Sequence, residues 1–195
     1  MPLQMRKSLQ VARVLSFCLM VLVCLAPVVS AQSGETTITA TATVKTAAGA
    51  SATAPVTITI KRFSTDAERN ELIAAIKSGG TAAARDLLAK REAIGTLALG
   101  PKSTPIKFAF ARAMGADRLI TAATSEPVLF LGAGTSEAKP KAGYDVALIL
   151  LQVPASGTGT GELSPAAKIK VDEQGAVVTE DYGAEVVRLT NIAGK

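Results

Sequence analysis

A two-residue periodicity is the feature that most constrains the fold of this 195-residue chain. From Thr37 to Val44, threonines alternate with Ile, Ala and Val, and a similar alternation returns from Val56 to Lys61. Successive side chains of a strand point to opposite faces of a sheet, so the pattern predicts two strands with one threonine-rich face each. The small residues at 47–51 predict a turn, and the two strands should therefore form a β-hairpin.

The periodicity becomes helical after the second strand. Thr65 and Glu68 have the spacing of a capping box, which marks a helix start. Gly79-Gly80 predicts the end of that helix, and Thr81 can cap a second one. Because the connection is so short, we predict an antiparallel helical hairpin. The apolar residues at helical spacing are Leu72, Ile73, Ile76, Ala84, Leu87 and Leu88.

The rest of the chain is predicted to be mainly strand. Residues 128–131 and 146–151 are apolar at successive positions, which is typical of strands covered on both faces. The predicted fold class is α+β: a mainly antiparallel sheet or small β-sandwich with one helical hairpin. The predicted strands are 95–99, 105–113, 117–124, 127–131, 144–153, 165–171, 175–180 and 185–192.

Residues 1–31 have the composition of an export signal. Basic residues precede an apolar run, 14–29, that ends in the small-residue pattern Val29-Ser30-Ala31. We predict a single mature domain, 32–195, with a short leader at 32–35, and an exported location, periplasmic or secreted. A retained membrane anchor is the alternative, although the run is short and Pro27 lies near its end. No other stretch could span a bilayer, so no membrane span is expected after cleavage.

Composition excludes several chemistries. The chain has no histidine, which excludes Ser-His-Asp nucleophiles, histidine bases and ordinary zinc sites, so no metal and no cofactor is predicted. Both cysteines, Cys18 and Cys24, lie in the signal, and the mature domain should be disulfide-free. The signal holds three of the 21 basic residues and none of the 16 acidic ones, which leaves the mature chain nearly neutral. No stretch combines basic and aromatic residues, so no nucleic-acid partner is predicted.

Three segments have partial motifs that we interpret as loops. Gly132-Ala133-Gly134 lacks the third glycine of a dinucleotide-binding fingerprint. Ser136 and Lys139 have the spacing of a serine–lysine acyl-enzyme motif, but Pro140 disfavours the helix that this chemistry needs. The glycine-alternating segment 157–161 is interpreted as a flexible connection, with an anion-binding nest as its alternative.

Glu180, Asp181 and Tyr182 are the candidate site residues. Adjacent carboxylates can serve acid–base chemistry, and an aromatic ring beside them can bind a sugar face and raise the acid's pKa by excluding water. The other interpretation is a solvated turn with a packing tyrosine. We favour a non-enzymatic binding or envelope-associated domain, whose partner would be an envelope protein or glycan. The alternative is a carboxylate-dependent hydrolase that acts on envelope glycans.

Several short motifs give the chain a family resemblance. It resembles small exported bacterial proteins of uncharacterised function, of the kind encoded in acidobacterial genomes. The resemblance covers roughly residues 56–191 and implies export but no particular activity. It is carried by residues 57–62, 65–69, 79–80, 159–163, 181–182 and 187–191.

We predict that signal peptidase cleaves after Ala31, because Val29 and Ala31 are the small residues that the enzyme accepts. The exported protein should then begin at Gln32 and contain no cysteine. Intact-mass spectrometry of the exported protein measures this directly. A mass that corresponds to Met1–Lys195 would contradict the prediction.

Overall fold

The computed structural model describes residues 34–45, 49, 51–128 and 141–194. The predicted export signal, the glycine motif at 132–134 and the serine–lysine motif at 136–139 all lie outside the described residues. The end of the strand predicted at 127–131 does so as well.

The described residues are mainly β-strand. The β-hairpin predicted at the start of the domain is confirmed, and helical structure follows it as predicted. Most later strands also lie where the alternation predicted them. The elements are β1 Thr36–Lys45, β2 Ser51–Ile60, α1 Asp66–Lys90, β3 Gly95–Leu99, β4 Lys102–Met114, β5 Asp117–Thr124, β6 Val146–Val153, β7 Gly159–Val171, β8 Val177–Tyr182 and β9 Val187–Gly194.

Eight of these strands close into an antiparallel barrel. Strands β1 to β7 each pair with the next along the chain, and β9 lies between β7 and β1 to complete the ring. β8 stands outside the ring and pairs with the second half of β7. The predicted open sheet or sandwich is therefore wrong. Alternation specifies which face of each strand is apolar, but a sandwich and a barrel bury that face equally well.

The inward face of the barrel is a continuous apolar core. The apolar positions predicted for β1 and β2 all face inward, and the threonines between them face outward. Inward side chains of β5, β6 and β9 meet them across the barrel. This inner core includes Ile38, Ala40, Ala42, Val44, Val56, Ile58, Ile60, Leu97, Ile120, Ala122, Ile149, Leu151, Leu163, Val187, Leu189 and Ile192.

The predicted capping box is confirmed at the start of α1. The backbone N–H of Glu68 donates to the Thr65 hydroxyl at 3.2 Å, and the Thr65 N–H donates to the Glu68 carboxylate at 2.8 Å. Arg62 also donates to Glu68, and this bond is the main reason why the pKa of Glu68 falls to about 2. These contacts fix the point at which the chain leaves β2 and enters the helix.

The predicted helical hairpin is wrong. α1 is one helix from Asp66 to Lys90, interrupted by non-helical dihedrals at Gly79 and Gly80, where Gly80 has a φ of 64°. The apolar residues on both sides of this kink belong to one cluster with the outer wall of the barrel. Thr81, predicted as a helix cap, instead accepts a hydrogen bond at 2.8 Å from the backbone N–H of Ile169 in β7.

The helix creates a second apolar layer outside the barrel. Alternate residues of β6 face the barrel interior and the helix, so both of its faces are covered, as its apolar run predicted. Phe108 and Phe110 of β4 stack at 6.5 Å between ring centroids under the same helix. This outer core includes Leu72, Ile76, Ala84, Leu88, Phe108, Ala123, Val146, Leu148, Ala167, Ile169 and Val177.

Leu88→Ala should lower the free energy of unfolding by about 2–5 kcal/mol, since this side chain is fully buried between α1 and the barrel. Leu87→Ala is the matched control, because Leu87 lies next to it in the helix and is only partly buried. Urea unfolding of both variants measures the difference. Equal losses, or a loss near zero for Leu88→Ala, would contradict the packing of α1 against the barrel.

Candidate functional site

The three candidate residues from the sequence lie at the end of β8. Lys168 of β7 stands opposite Asp181, whereas the next residue, Ile169, stands opposite Thr179. Glu180 is therefore the extra residue of a β-bulge. Bulges turn the side chains that follow them, and this one determines where Asp181 points.

Asp181 forms a hydrogen bond with Tyr144, which lies two residues before the start of β6 and 37 residues from Asp181 in sequence. The Tyr144 hydroxyl donates to the Asp181 carboxylate, and the Tyr182 backbone N–H donates to the same carboxylate at 2.9 Å. These two bonds, that of Tyr144 first, hold the pKa of Asp181 below its usual value. The pKa of Asp181 is therefore lowered, opposite to the raised acid pKa expected beside Tyr182, because the Tyr144 hydroxyl donates a hydrogen bond to its charged form.

Tyr144 is packed on several sides, and only 2% of its surface is exposed. The Lys168 and Lys141 ammonium groups lie 4.9 and 5.2 Å from its ring centroid. A Cβ at Gly183 would lie 2.6 Å from the Cβ of Tyr144, so only glycine permits this approach. We call Tyr144, Asp181, Lys141, Lys168 and Gly183 the Tyr144 latch, since it fastens β8 to the start of β6.

The other two candidate residues have different surroundings from Asp181. Tyr182 is 45% exposed, and its hydroxyl donates to Glu162 at 2.9 Å. Partial burial and then this bond raise the pKa of Tyr182. Glu180 is exposed on the bulge. The structure does not bring the three residues onto a shared partner, and it gives Asp181 and Tyr182 separate structural contacts.

A cavity of about 500 Å³ lies at the opposite end of the barrel. β6 begins two residues after Tyr144 and ends at Val153, which lines the cavity. A strand of this length spans about 25 Å, so the cavity and the Tyr144 latch are well separated. The residues that line it are Ala116, Arg118, Val153, Pro154, Ala155, Ser156, Gly157, Ile192, Ala193 and Gly194.

Two glycines of β7 lie against Ile192, one of the residues that line this cavity. Gly159 pairs with Ile192 of β9, and a Cβ at Gly159 would lie 3.2 Å from the Ile192 Cβ and 2.2 Å from the Gln152 carbonyl oxygen. Gly161 is similarly close to Leu150 and Ile192. The interpretation of 157–161 as a loop is therefore wrong from Gly159 onward, where the chain is already strand. Because Gly159 and Gly161 have no side chains, β7 can lie close to Ile192 without filling the cavity next to it.

Among the described residues that line the cavity, Arg118 is the only one with a charged side chain. It stands opposite Val153 on β6 and two residues before Ile120, both members of the inner core, so its side chain lies on the inward face of β5. It is half-buried, and among the described residues it has no hydrogen-bond or ion-pair partner. The neighbouring Asp117 lies on the other face, where its carboxylate accepts from Gln152 at 2.9 Å.

Sequence reasoning missed both Tyr144 and Arg118. No sequence pattern could have identified Tyr144, because its bond to Asp181 depends on how β6 and β8 meet in space. A sequence pattern could have identified Arg118. In the predicted strand 117–124 it shares a face with Ile120 and Ala122, and a charged residue on an apolar face calls for a partner or an opening to solvent.

Comparisons with known proteins do not assign a function. No family model, curated protein or solved structure matches the chain significantly. Within residues 34–45, 49, 51–128 and 141–194, no cluster of three or more Asp and Glu residues could hold a metal ion. In the same part of the chain, no helix has the length and apolar character to cross a membrane.

Asp181→Asn should lower the free energy of unfolding at neutral pH, because it removes the charged acceptor of the Tyr144 bond. Because the pKa of Asp181 is lowered in the folded state, its carboxylate stabilises the fold fully above the unfolded pKa of about 3.9. This stabilisation is lost as pH falls through the folded pKa. The raised pKa of Tyr144 means that its contribution is present below about 10 and is lost as pH rises through the folded value.

Urea unfolding in acid, neutral and alkaline buffers measures this dependence. The parent and Asp181→Asn should differ at neutral pH and converge in acid. Glu180→Gln is the control, since it removes a carboxylate one residue away that is exposed on the bulge. Equal destabilisation by both substitutions would contradict the role assigned to the latch.

Proposed function

We propose that this chain is a non-enzymatic, exported binding domain whose ligand occupies the cavity at the end of the barrel. The observation that carries the proposal is a concave space of about 500 Å³, whose described lining includes the buried apolar residues Val153 and Ile192 and one charged residue, Arg118. Small-molecule sites have volumes of about 300–1,000 Å³, are mostly apolar with few polar groups, and often lie in the mouths of β-barrels.

Three features of the wall support this location. Val153 and Ile192, which line the cavity, are buried members of the inner core, so this part of its wall is fixed by core packing. Gly159 and Gly161 keep side chains out of the space next to Ile192. The 154–157 connection and the β4–β5 turn form the rim, and loops of this kind commonly supply ligand contacts on a rigid scaffold.

The hydrolase alternative has less support. A glycosidase needs one carboxylic acid that stays protonated near neutral pH, together with a second, ionised carboxylate. Asp181 has a lowered pKa and is bonded to a buried tyrosine, which suits a structural role. The concave site at the far end of the barrel also favours a small molecule over the envelope protein or glycan expected from the sequence.

The proposal is tested with N-phenyl-1-naphthylamine, an uncharged dye whose fluorescence rises in apolar sites. Purified mature protein should bind the dye saturably. Ser156→Trp should abolish binding, because Ser156 lines the cavity and a large ring there would fill it. Ser103→Trp is the matched control, since Ser103 is exposed near the β3–β4 turn at the other end of the barrel.

Both tryptophan variants should melt within a few degrees of the parent, because both positions are exposed. Saturable binding that Ser156→Trp removes and Ser103→Trp preserves would support the cavity as the site. An absence of binding to the parent, or equal binding by both variants, would overturn the proposal.

A further inference from the structure

We infer that the ligand of this cavity is a small organic monoanion, an aliphatic or aromatic carboxylate, whose charged group binds Arg118 and whose apolar body lies over Val153 and Ile192. This inference rests on the proposed function and adds the chemical class of the ligand. It follows from the charge, the burial and the arrangement of the residues that line the space.

The described lining of the site has one positive charge and no negative one. Arg118 has no partner among the described residues, and none of the described residues that line the cavity is acidic. A guanidinium group keeps its positive charge in proteins and has five N–H donors. Arg118 is half-buried on an inward-facing position, so it has lost part of its hydration without a carboxylate in exchange. An anion that enters the cavity would supply the missing acceptor.

The geometry of the arginine side chain favours a carboxylate. Its planar fork can donate two parallel hydrogen bonds to the two oxygens of one carboxylate. The single cation of the described lining suits a single negative charge. A phosphate monoester would bring a second charge that none of these described residues neutralises. Ser156 adds a neutral hydroxyl to the lining, which can donate a hydrogen bond to a carboxylate oxygen of the ligand.

The remaining surface fits an apolar ligand body. Val153 and Ile192 are at least nine-tenths buried, and Pro154 and Ala193 extend the apolar surface toward the rim. Apolar area removed from water contributes to affinity, and the arginine at the edge fixes the orientation of the ligand. A compact amphipathic carboxylate therefore matches both parts of the site, whereas a free inorganic anion would use only Arg118.

The test uses octanoate, octanamide and octylammonium as chain-matched carboxylate, neutral and cationic competitors of the naphthylamine dye. Octanoate should displace the dye at a concentration about ten- to a hundredfold lower than octanamide, because a charge-assisted hydrogen bond in a half-buried site has this effect on affinity. Octylammonium should be the weakest of the three. Isothermal titration with octanoate alone gives the same comparison without the dye.

Arg118→Met should bring octanoate to the affinity of octanamide, with the affinity of each variant for the dye measured first by direct titration. Arg118→Lys keeps the charge without the fork and should retain part of the preference, and it serves if Arg118→Met does not fold. Arg112→Met is the control. It removes a cation from the same β-hairpin, but Arg112 pairs with Leu119 and is exposed outside the cavity. It should leave the preference for octanoate intact.

The two proposals fail in different ways. Dye binding that Ser156→Trp abolishes, with octanoate and octanamide equivalent in the parent, would overturn the carboxylate and leave the binding site standing. A loss of preference in Arg112→Met as large as in Arg118→Met would also overturn the assignment to Arg118. If the dye does not bind the parent, both proposals are overturned.

Discussion

β7 is the strand on which the rest of the structure depends. Its first half pairs with β6 on one side and β9 on the other, which closes the eight-stranded ring. Its second half continues beyond the ring, carries β8 and accepts the packing of α1. Closure pairs the eight strands into a ring and encloses their apolar inner faces. β7 contributes residues to both the inner and the outer core, and it contacts both candidate sites through β8 and Ile192.

The two ends of the barrel differ in how well their polar groups are satisfied. At the Tyr144 latch, the carboxylate of Asp181 has a phenol and a backbone donor, and two lysines lie beside the ring. This arrangement is complete without a ligand. At the cavity, Arg118 faces inward above an apolar floor with no acceptor in the described part of the chain. Arg118 is half-buried, so an anion in the cavity could bind it at a smaller cost in hydration than at the surface, and this contrast makes the cavity end the better functional candidate.

Glycines and the bulge give both ends their shape. Gly183 lets the chain after β8 approach Tyr144, and Gly159 lets β7 approach Gln152 and Ile192. The bulge at Glu180 turns Asp181 toward Tyr144 instead of leaving it beside Glu180 as one of a carboxylate pair. The side chains of these two adjacent acidic residues therefore have different surroundings and do not form a carboxylate pair. This is why the acid–base hypothesis drawn from residues 180–182 has lost support.

The sequence by itself determined the local structure: the strands of the hairpin, the capping box at Thr65 and Glu68, the break at Gly79-Gly80 and the double burial of β6. These features depend on side-chain periodicity and on contacts between residues close in the chain. Only the tertiary structure decided that the strands close into a barrel, that α1 packs on its outside, and that Arg118 faces a cavity. Those outcomes depend on strand pairing between distant segments, such as β9 with β1, and periodicity carries no information about which strands pair.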